Sequence, residues 1–149
     1  FCGKNKGNKS ILKKIVEERK LSEQITFYEF LSLDQVISLY LNCSALIMPT
    51  YLGRSSLPLR ESFYFKKLVF YTKDLLDKEY SKFVVEIDIY KPQDLAKKLF
   101  DFLNSEEKYE KTIEQSYHFY LNNINDEKIY LSYKKILFEF DYIRKRWLN

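Results

Sequence analysis

The sequence predicts an α/β fold, a doubly wound parallel sheet with helices on both faces and further helices at the C-terminal end. Short apolar runs of strand character alternate with helical stretches of about ten residues, the pattern of βαβ units. The run "ALIMP" is apolar throughout and stopped by Pro49, which is how a strand covered on both faces reads. No fixed-period repeat and no long linker divides the chain, so its 149 residues are expected to form one domain, 1–149.

From Lys9 to Lys20 the apolar Ile11, Leu12, Ile15 and Val16 recur at helical spacing between charged residues, predicting an amphipathic helix. "QITFYEF" is short, β-branched and aromatic, and predicts a strand. "SLDQVISLYLNC" predicts a helix capped by Ser32, with Leu33, Val36, Ile37 and Tyr40 on one face. After "ALIMP" a helix is expected from about Leu57 to Lys66, then the strands "LVFYT" and "KFVVEID". "KPQDLAKKLFDFLNS" predicts a helix with Pro92 in its first turn and Leu95, Leu99, Phe102 and Leu103 facing inward. Two more helices finish the chain. The last, from about Asp126, carries Ile129, Tyr133, Ile136, Leu137, Phe140, Ile143 and Trp147 as a stripe expected to pack into the core.

Composition narrows the function classes. A formal charge of +4, from 25 basic and 21 acidic residues of intermixed sign, makes no nucleic-acid groove, although a small anion or an anionic membrane surface remains open. Cys2 and Cys43 are too few for a disulfide framework, and His118 is the sole histidine, so no multi-histidine metal site is possible. His118 reads as a surface or packing residue. No run is apolar for the length a bilayer needs and no signal-peptide pattern opens the chain, so a reduced, cytoplasmic setting is expected, with the inner face of the membrane as a further place of contact.

The stretch "PTYLGRSSLPLRES", residues 49–62, gathers two of the three prolines and one of the three glycines between a strand and a helix. In doubly wound sheets ligands bind beyond the carboxyl ends of the strands, where this stretch is expected to lie. Pro58 suits an early helical position, Ser55 and Ser56 can cap or leave backbone N–H groups free, and those amides with the helix dipole attract phosphate. Gly53 allows close backbone approach, and Arg54 adds a charge-assisted bond. Glu61 is suited to accept hydrogen bonds from a ribose diol. A helix cap with a solvated glutamate accounts for the same residues.

The segment "SLDQVISLYLNCSALIMPTYLGRSSLPLRESFYFKKLVF" resembles, without a gap from Leu31 to Phe70, the nucleotide-sugar-binding half of family 4 glycosyltransferases of GT-B architecture, in a subgroup whose loop reads "P-T-Y-F-G-P-T-N-L-P-P-L-E-A". The resemblance implies a Rossmann-like domain that binds a UDP-sugar or GDP-sugar without a metal. It implies a retaining enzyme passing the sugar to an acceptor hydroxyl in bacterial polysaccharide or glycolipid synthesis. On it Glu61 would contact the ribose, while Gly53 stands where many members carry a glutamate to the donor sugar. Ser55, Ser56 and Leu57 match the loop at the diphosphate, Tyr28, Glu29 and Phe30 the turn flanking the base, and Gly3 the edge of the cleft.

Against that pattern, Lys66 replaces a glycine, Arg60 and Ser62 replace small or apolar neighbours of the glutamate, and the expected first strand and N-terminal acceptor domain have no counterpart. The chain is thus expected to be the donor-binding half of a larger enzyme and inactive by itself, with the nucleotide-sugar donor and that N-terminal domain as partners. A decayed, non-catalytic binding or assembly module of the same fold is the alternative. A different Rossmann-like phosphate protein is disfavoured by the absence of a G-x-G-x-x-G or Walker motif.

Overall fold

The computed structural model describes residues 1–3, 7–51, 57–124 and 126–147. The chain divides into two compact units, Phe1–Asn42 and Cys43–Asn149.

The first unit holds α1 (Lys9–Glu18) and α2 (Leu33–Asn42). Ser32 caps α2 as expected, and Gln35 completes a reciprocal capping box: the Gln35 N–H donates to Ser32 Oγ at 3.3 Å and the Ser32 N–H to Gln35 Oε1 at 2.9 Å. "QITFYEF" forms no strand. Among the described residues it makes a single parallel bridge, Cys2 with Tyr28, in which the Tyr28 N–H donates to the Phe1 carbonyl at 2.8 Å and the Gly3 N–H to the Tyr28 carbonyl at 2.9 Å. Propensity alone does not sustain a strand, since what it measures is mostly packing against neighbouring strands. Leu33, expected on the inner face of α2, is exposed, whereas Tyr40 is buried.

The second unit is built on β1 (Ala45–Met48), β2 (Leu68–Thr72) and β3 (Val85–Ile87), all parallel in the order β1-β2-β3. Around them lie α3 (Leu57–Tyr64), the short α4 (Lys78–Ser81), α5 (Pro92–Asn104), α6 (Glu110–Asn123) and α7 (Asp126–Trp147). Central β2 is buried at every residue, and its alternation separates two cores. Val69 and Tyr71 pack with Leu59 and Phe63 of α3 and with Phe83, beside Phe119 of α6. Leu68 and Phe70 pack with Ile87 and with Phe102 of α5. Helices therefore cover both faces, and the predicted α/β class holds. β1, expected to be fully buried, is only half-buried, because it is an edge strand among the described residues.

Pro92 sits in the first turn of α5, where its missing N–H costs no helical bond. Leu95 and Leu99 pack inward with Phe102, but Leu103 is exposed. The α7 stripe departs most from expectation: every one of its apolar residues is exposed and the helix has no buried residue. Periodicity shows which side chains share a helix face, not whether a neighbour covers that face.

The substitution of glycine by Lys66 now has a structural account. Lys66 has φ +53° and ends α3 in a Schellman turn, with the Lys67 N–H donating to the Ser62 carbonyl at 2.8 Å and the Lys66 N–H to the Phe63 carbonyl at 3.2 Å. Lys20 closes α1 in the same way at φ +57°. A left-handed conformation costs a non-glycine residue about 1–2 kcal/mol. At Lys66 it is partly offset by an exposed ion pair to Glu114 at 2.7 Å and by the ammonium lying 4.5 Å from the Tyr117 ring centroid. Lys66→Gly is expected to stabilise the chain by roughly 0.5–1 kcal/mol. Lys66→Ala, which keeps the strained φ and loses both contacts, is expected to destabilise it. Denaturant midpoints that fall in both variants would show that the side-chain contacts outweigh the backbone strain.

Candidate functional site

The carboxyl ends of the three strands are where the second unit gathers polar chemistry. β1 ends at Met48, just before Pro49, and after Tyr51 the chain re-enters the described residues at Leu57, the first residue of α3. Leu57 is exposed, and Glu61, one turn into the helix, is half-buried. Gly53, Arg54, Ser55 and Ser56 lie outside the described residues. The burial of Leu59 and Phe63 on one face of α3 fixes the helix against β2 and thereby the direction in which Glu61 leaves it.

Two of the residues near Glu61 that break the family pattern make side-chain hydrogen bonds elsewhere. Arg60 donates to the Tyr80 hydroxyl of α4 at 3.5 Å, and Lys66 is held by Glu114 of α6. Ser62 is fully buried, and its Oγ has no hydrogen-bond partner among the described residues.

Further along the same edge, Tyr51, Thr72, Lys73, Asp74, Asp88 and Tyr90 line a half-open cleft of about 180 Å³. The Thr72 hydroxyl donates to the Thr50 carbonyl at 2.8 Å, tying the start of the β1–α3 connection to the end of β2. Tyr51 and Tyr90 meet edge to face with centroids 6.1 Å apart. Asp88 accepts from the Tyr90 N–H at 3.1 Å and pairs with Lys73 and Lys91, each at 3.5 Å. The Tyr90 N–H bond first, then the two lysines, hold its carboxyl below the usual aspartate range. Ligand pockets run to about 300–1,000 Å³, so this cleft by itself has no room for a whole nucleotide sugar. These residues were not singled out from the sequence, yet a signal existed: Thr72 closes "LVFYT" and Asp88 closes "KFVVEID", both at carboxyl strand ends.

Because the unfolded chain takes up protons near the ordinary carboxylate values of about 3.9–4.3 while folded Asp88 resists them, stability is expected to be retained down to about pH 5 and lost as pH falls toward 3. Lys9 at Glu29 and Lys98 at Asp94 act in the same direction. Asp88→Asn keeps an acceptor for the Tyr90 N–H and removes the charge. Its melting temperature is expected to be lower at pH 7 and to fall less between pH 5 and 3, and an unchanged acid limb would show that Asp88 is not one of the groups responsible.

In the first unit the backbone brings Gly3 and Tyr28 together in the bridge described above. Glu29 is drawn to Lys9, at the start of α1, at 2.6 Å, and this bond, with the Lys9 charge, lowers its carboxyl below the usual range. Phe30 is 88% exposed and Tyr28 40%, so the turn offers an open aromatic surface. His118 is exposed, 4.0 Å from Glu114, as expected of a surface residue. Burial raises the Cys43 thiol, against the opposing effect of Lys67, so it is protonated at neutral pH and unsuited to nucleophilic attack. No helix of the described residues is long and apolar enough to cross a membrane.

A parallel sheet covered on both faces, with its polar groups along the carboxyl edge, defines a Rossmann-like α/β domain. The model of the family "Glycosyl transferases group 1" matches residues 1–119, and the chain belongs to that family. It is a glycosyltransferase domain whose chemistry is sugar transfer. No curated protein and no solved structure gives a significant match to the chain.

Proposed function

We propose that this chain is the donor-binding half of a retaining family 4 glycosyltransferase of GT-B architecture, one that takes a UDP-sugar or GDP-sugar and serves polysaccharide or glycolipid synthesis. The observation that carries this is α3, a helix starting beyond the carboxyl end of β1 and presenting Glu61 one turn in, within the family match.

Within Cys43–Asn149 this reading assigns Glu61 to the ribose hydroxyls. Leu57, Ser55 and Ser56 then lend backbone amides to the diphosphate, with Arg54 and Gly53 beside it. Within Phe1–Asn42 it assigns Tyr28, Glu29 and Phe30 to the base and Gly3 to the cleft edge. The exposed ring of Phe30 supports that assignment, since a base stacks on any open aromatic face. The protein's task is to orient the donor and stabilise the negative charge that builds on the leaving diphosphate, for which helix N-terminal amides and cations suffice without a metal. Water exclusion and the acceptor come from an N-terminal acceptor domain, so the chain alone binds donor weakly and turns nothing over. A cytoplasmic enzyme meeting the inner membrane face fits glycolipid acceptors. The engagement of Arg60 and Lys66 by α4 and α6 supports an intact motif over a decayed one.

The test is a titration of the chain with UDP, GDP and their sugar conjugates, followed by amide chemical shifts. Shifts at residues 55–61 and 28–30, with one base preferred, are expected. Binding spread over unrelated nucleotides without base preference would favour a general phosphate-binding domain. A flat response even in a chain joined to its acceptor domain would favour the decayed module.

A further inference from the structure

The half-open cleft at the carboxyl ends of β2 and β3 carries chemistry that the donor reading leaves unused, since none of its side chains is assigned to the base, the ribose, the diphosphate or the donor sugar. Its walls combine two tyrosine rings with a carboxylate and an ammonium group. Tyr51 is 66% and Tyr90 78% exposed, yet the backbone beside each is anchored. The Tyr90 N–H donates to Asp88, the Thr72 hydroxyl holds the Thr50 carbonyl next to Tyr51, and the two rings meet at 73°. Two large apolar faces are thus kept in place and open to solvent, where burial by a ligand would be favourable.

The charges decide which ligand suits the cleft. Lys73 and Lys91 offset Asp74 and Asp88, so neither a phosphate nor an ammonium group gains net attraction there. Both lysines stand 3.5 Å from Asp88 Oδ2. That is beyond the about 2.7–3.2 Å of a full N–H···O bond, so the carboxylate keeps capacity to accept and Lys73 to donate. An acceptor and a donor side by side match neighbouring hydroxyls, each of which both donates and accepts, and hydrogen bonds to charged groups are the stronger kind. A pyranose ring carries such hydroxyls round its edge and C–H groups on its faces, which lie well on a tyrosine ring.

We propose that this cleft is a subsite for one uncharged pyranose ring of the acceptor saccharide, seated on Tyr51 and Tyr90 with its hydroxyls toward Asp88 and Lys73. The volume of about 180 Å³ suits a single ring, and the open side lets the rest of a glycan leave. The donor sugar is disfavoured as the occupant because it arrives joined to a diphosphate, for which the balanced charges offer nothing. The proposal rests on the sugar transfer that family membership establishes and not on the role given to Glu61, and it adds a contact from this chain to those of an acceptor domain.

The test is a titration of the full chain with methyl pyranosides of glucose, galactose, mannose and N-acetylglucosamine up to about 50 mM, followed by amide chemical shifts. At least one is expected to bind with a Kd of about 1–20 mM, because a single ring buries little area against the fixed cost of association, and to shift the amides of Tyr51, Lys73 and Tyr90. Tyr51→Ala and Tyr90→Ala are each expected to weaken that binding roughly 3–10-fold. Their melting temperatures should hold, because both rings are exposed and Tyr90→Ala keeps the N–H that donates to Asp88. Pyranoside shifts in a chain that ignores UDP, GDP and their sugar conjugates would support this subsite while removing the donor reading, so the two fail separately. Amides that no pyranoside moves overturn the proposal. So does pyranoside binding that a UDP-sugar or GDP-sugar displaces, which belongs to the donor site, and so does binding that both tyrosine variants leave unchanged.

Discussion

Phe63→Ala is expected to destabilise the chain by about 3–5 kcal/mol, the range for deleting a buried aromatic ring. Phe63 is fully buried, lies edge to face against Phe83 at 5.9 Å, and shares its cluster with Leu59, Val69 and Tyr71. Phe83 in turn meets Phe119 at 4.8 Å, so the ring joins α3 to α6 as well as to the sheet. Domains are stable by only about 5–15 kcal/mol, and the loss would bring this one near its unfolding threshold at room temperature. Because the cavity opens under α3, whatever Glu61 does should weaken along with stability. Tyr64→Ala, one residue on and 51% exposed, is the control and should cost about 1 kcal/mol. Equal losses in urea denaturation of the two variants would mean that α3 is turned about its axis relative to the arrangement described here.

Glu61→Ala is expected to weaken nucleotide-sugar binding by roughly 10–150-fold, the equivalent of the 1.5–3 kcal/mol that a hydrogen bond to a charged group contributes. Its stability should change little, since the carboxylate is half-buried on the edge of α3 and the helix's buried face is formed by Leu59, Ser62 and Phe63. Phe30→Ala provides an independent reading of the base contact, with a loss of about 1–3 kcal/mol expected from stacking alone. Affinity lost in both variants while melting temperatures hold supports the donor-site reading. Affinity unmoved by Glu61→Ala would remove this residue from the ribose and with it the main chemical argument for a nucleotide donor.

Local signals were legible where local energetics decide structure. The capping box of Ser32 and Gln35, Pro92 in the first turn of α5, and the all-apolar runs that became β1 and β2 are written in adjacent residues. The parallel sheet followed from their alternation with helices. For the candidate site, the sequence led to Glu61 and Leu57 on α3 and to the Tyr28–Phe30 turn, while five of the residues between Pro49 and Leu57 stand outside what the structure describes. It did not lead to Thr72 and Asp88, because a threonine or aspartate at the end of a short strand gives no local sign that several strand ends share one edge.

What the sequence determined by itself is the order and type of most elements and the family to which their pattern belongs, since capping, proline geometry and hydrophobic period act over a few residues. The tertiary structure decided which apolar faces are covered. "QITFYEF" has the propensity of a strand but, among the described residues, only one bridge, because propensity does not itself supply a paired neighbour. The α7 stripe has the period of a core helix but none of its residues is buried, because period records alignment along a helix while burial depends on what the rest of the chain brings to it. Lys66 completes the contrast: its substitution for glycine is visible in the sequence, but only the fold shows it holding a left-handed turn and an ion pair 48 positions along the chain.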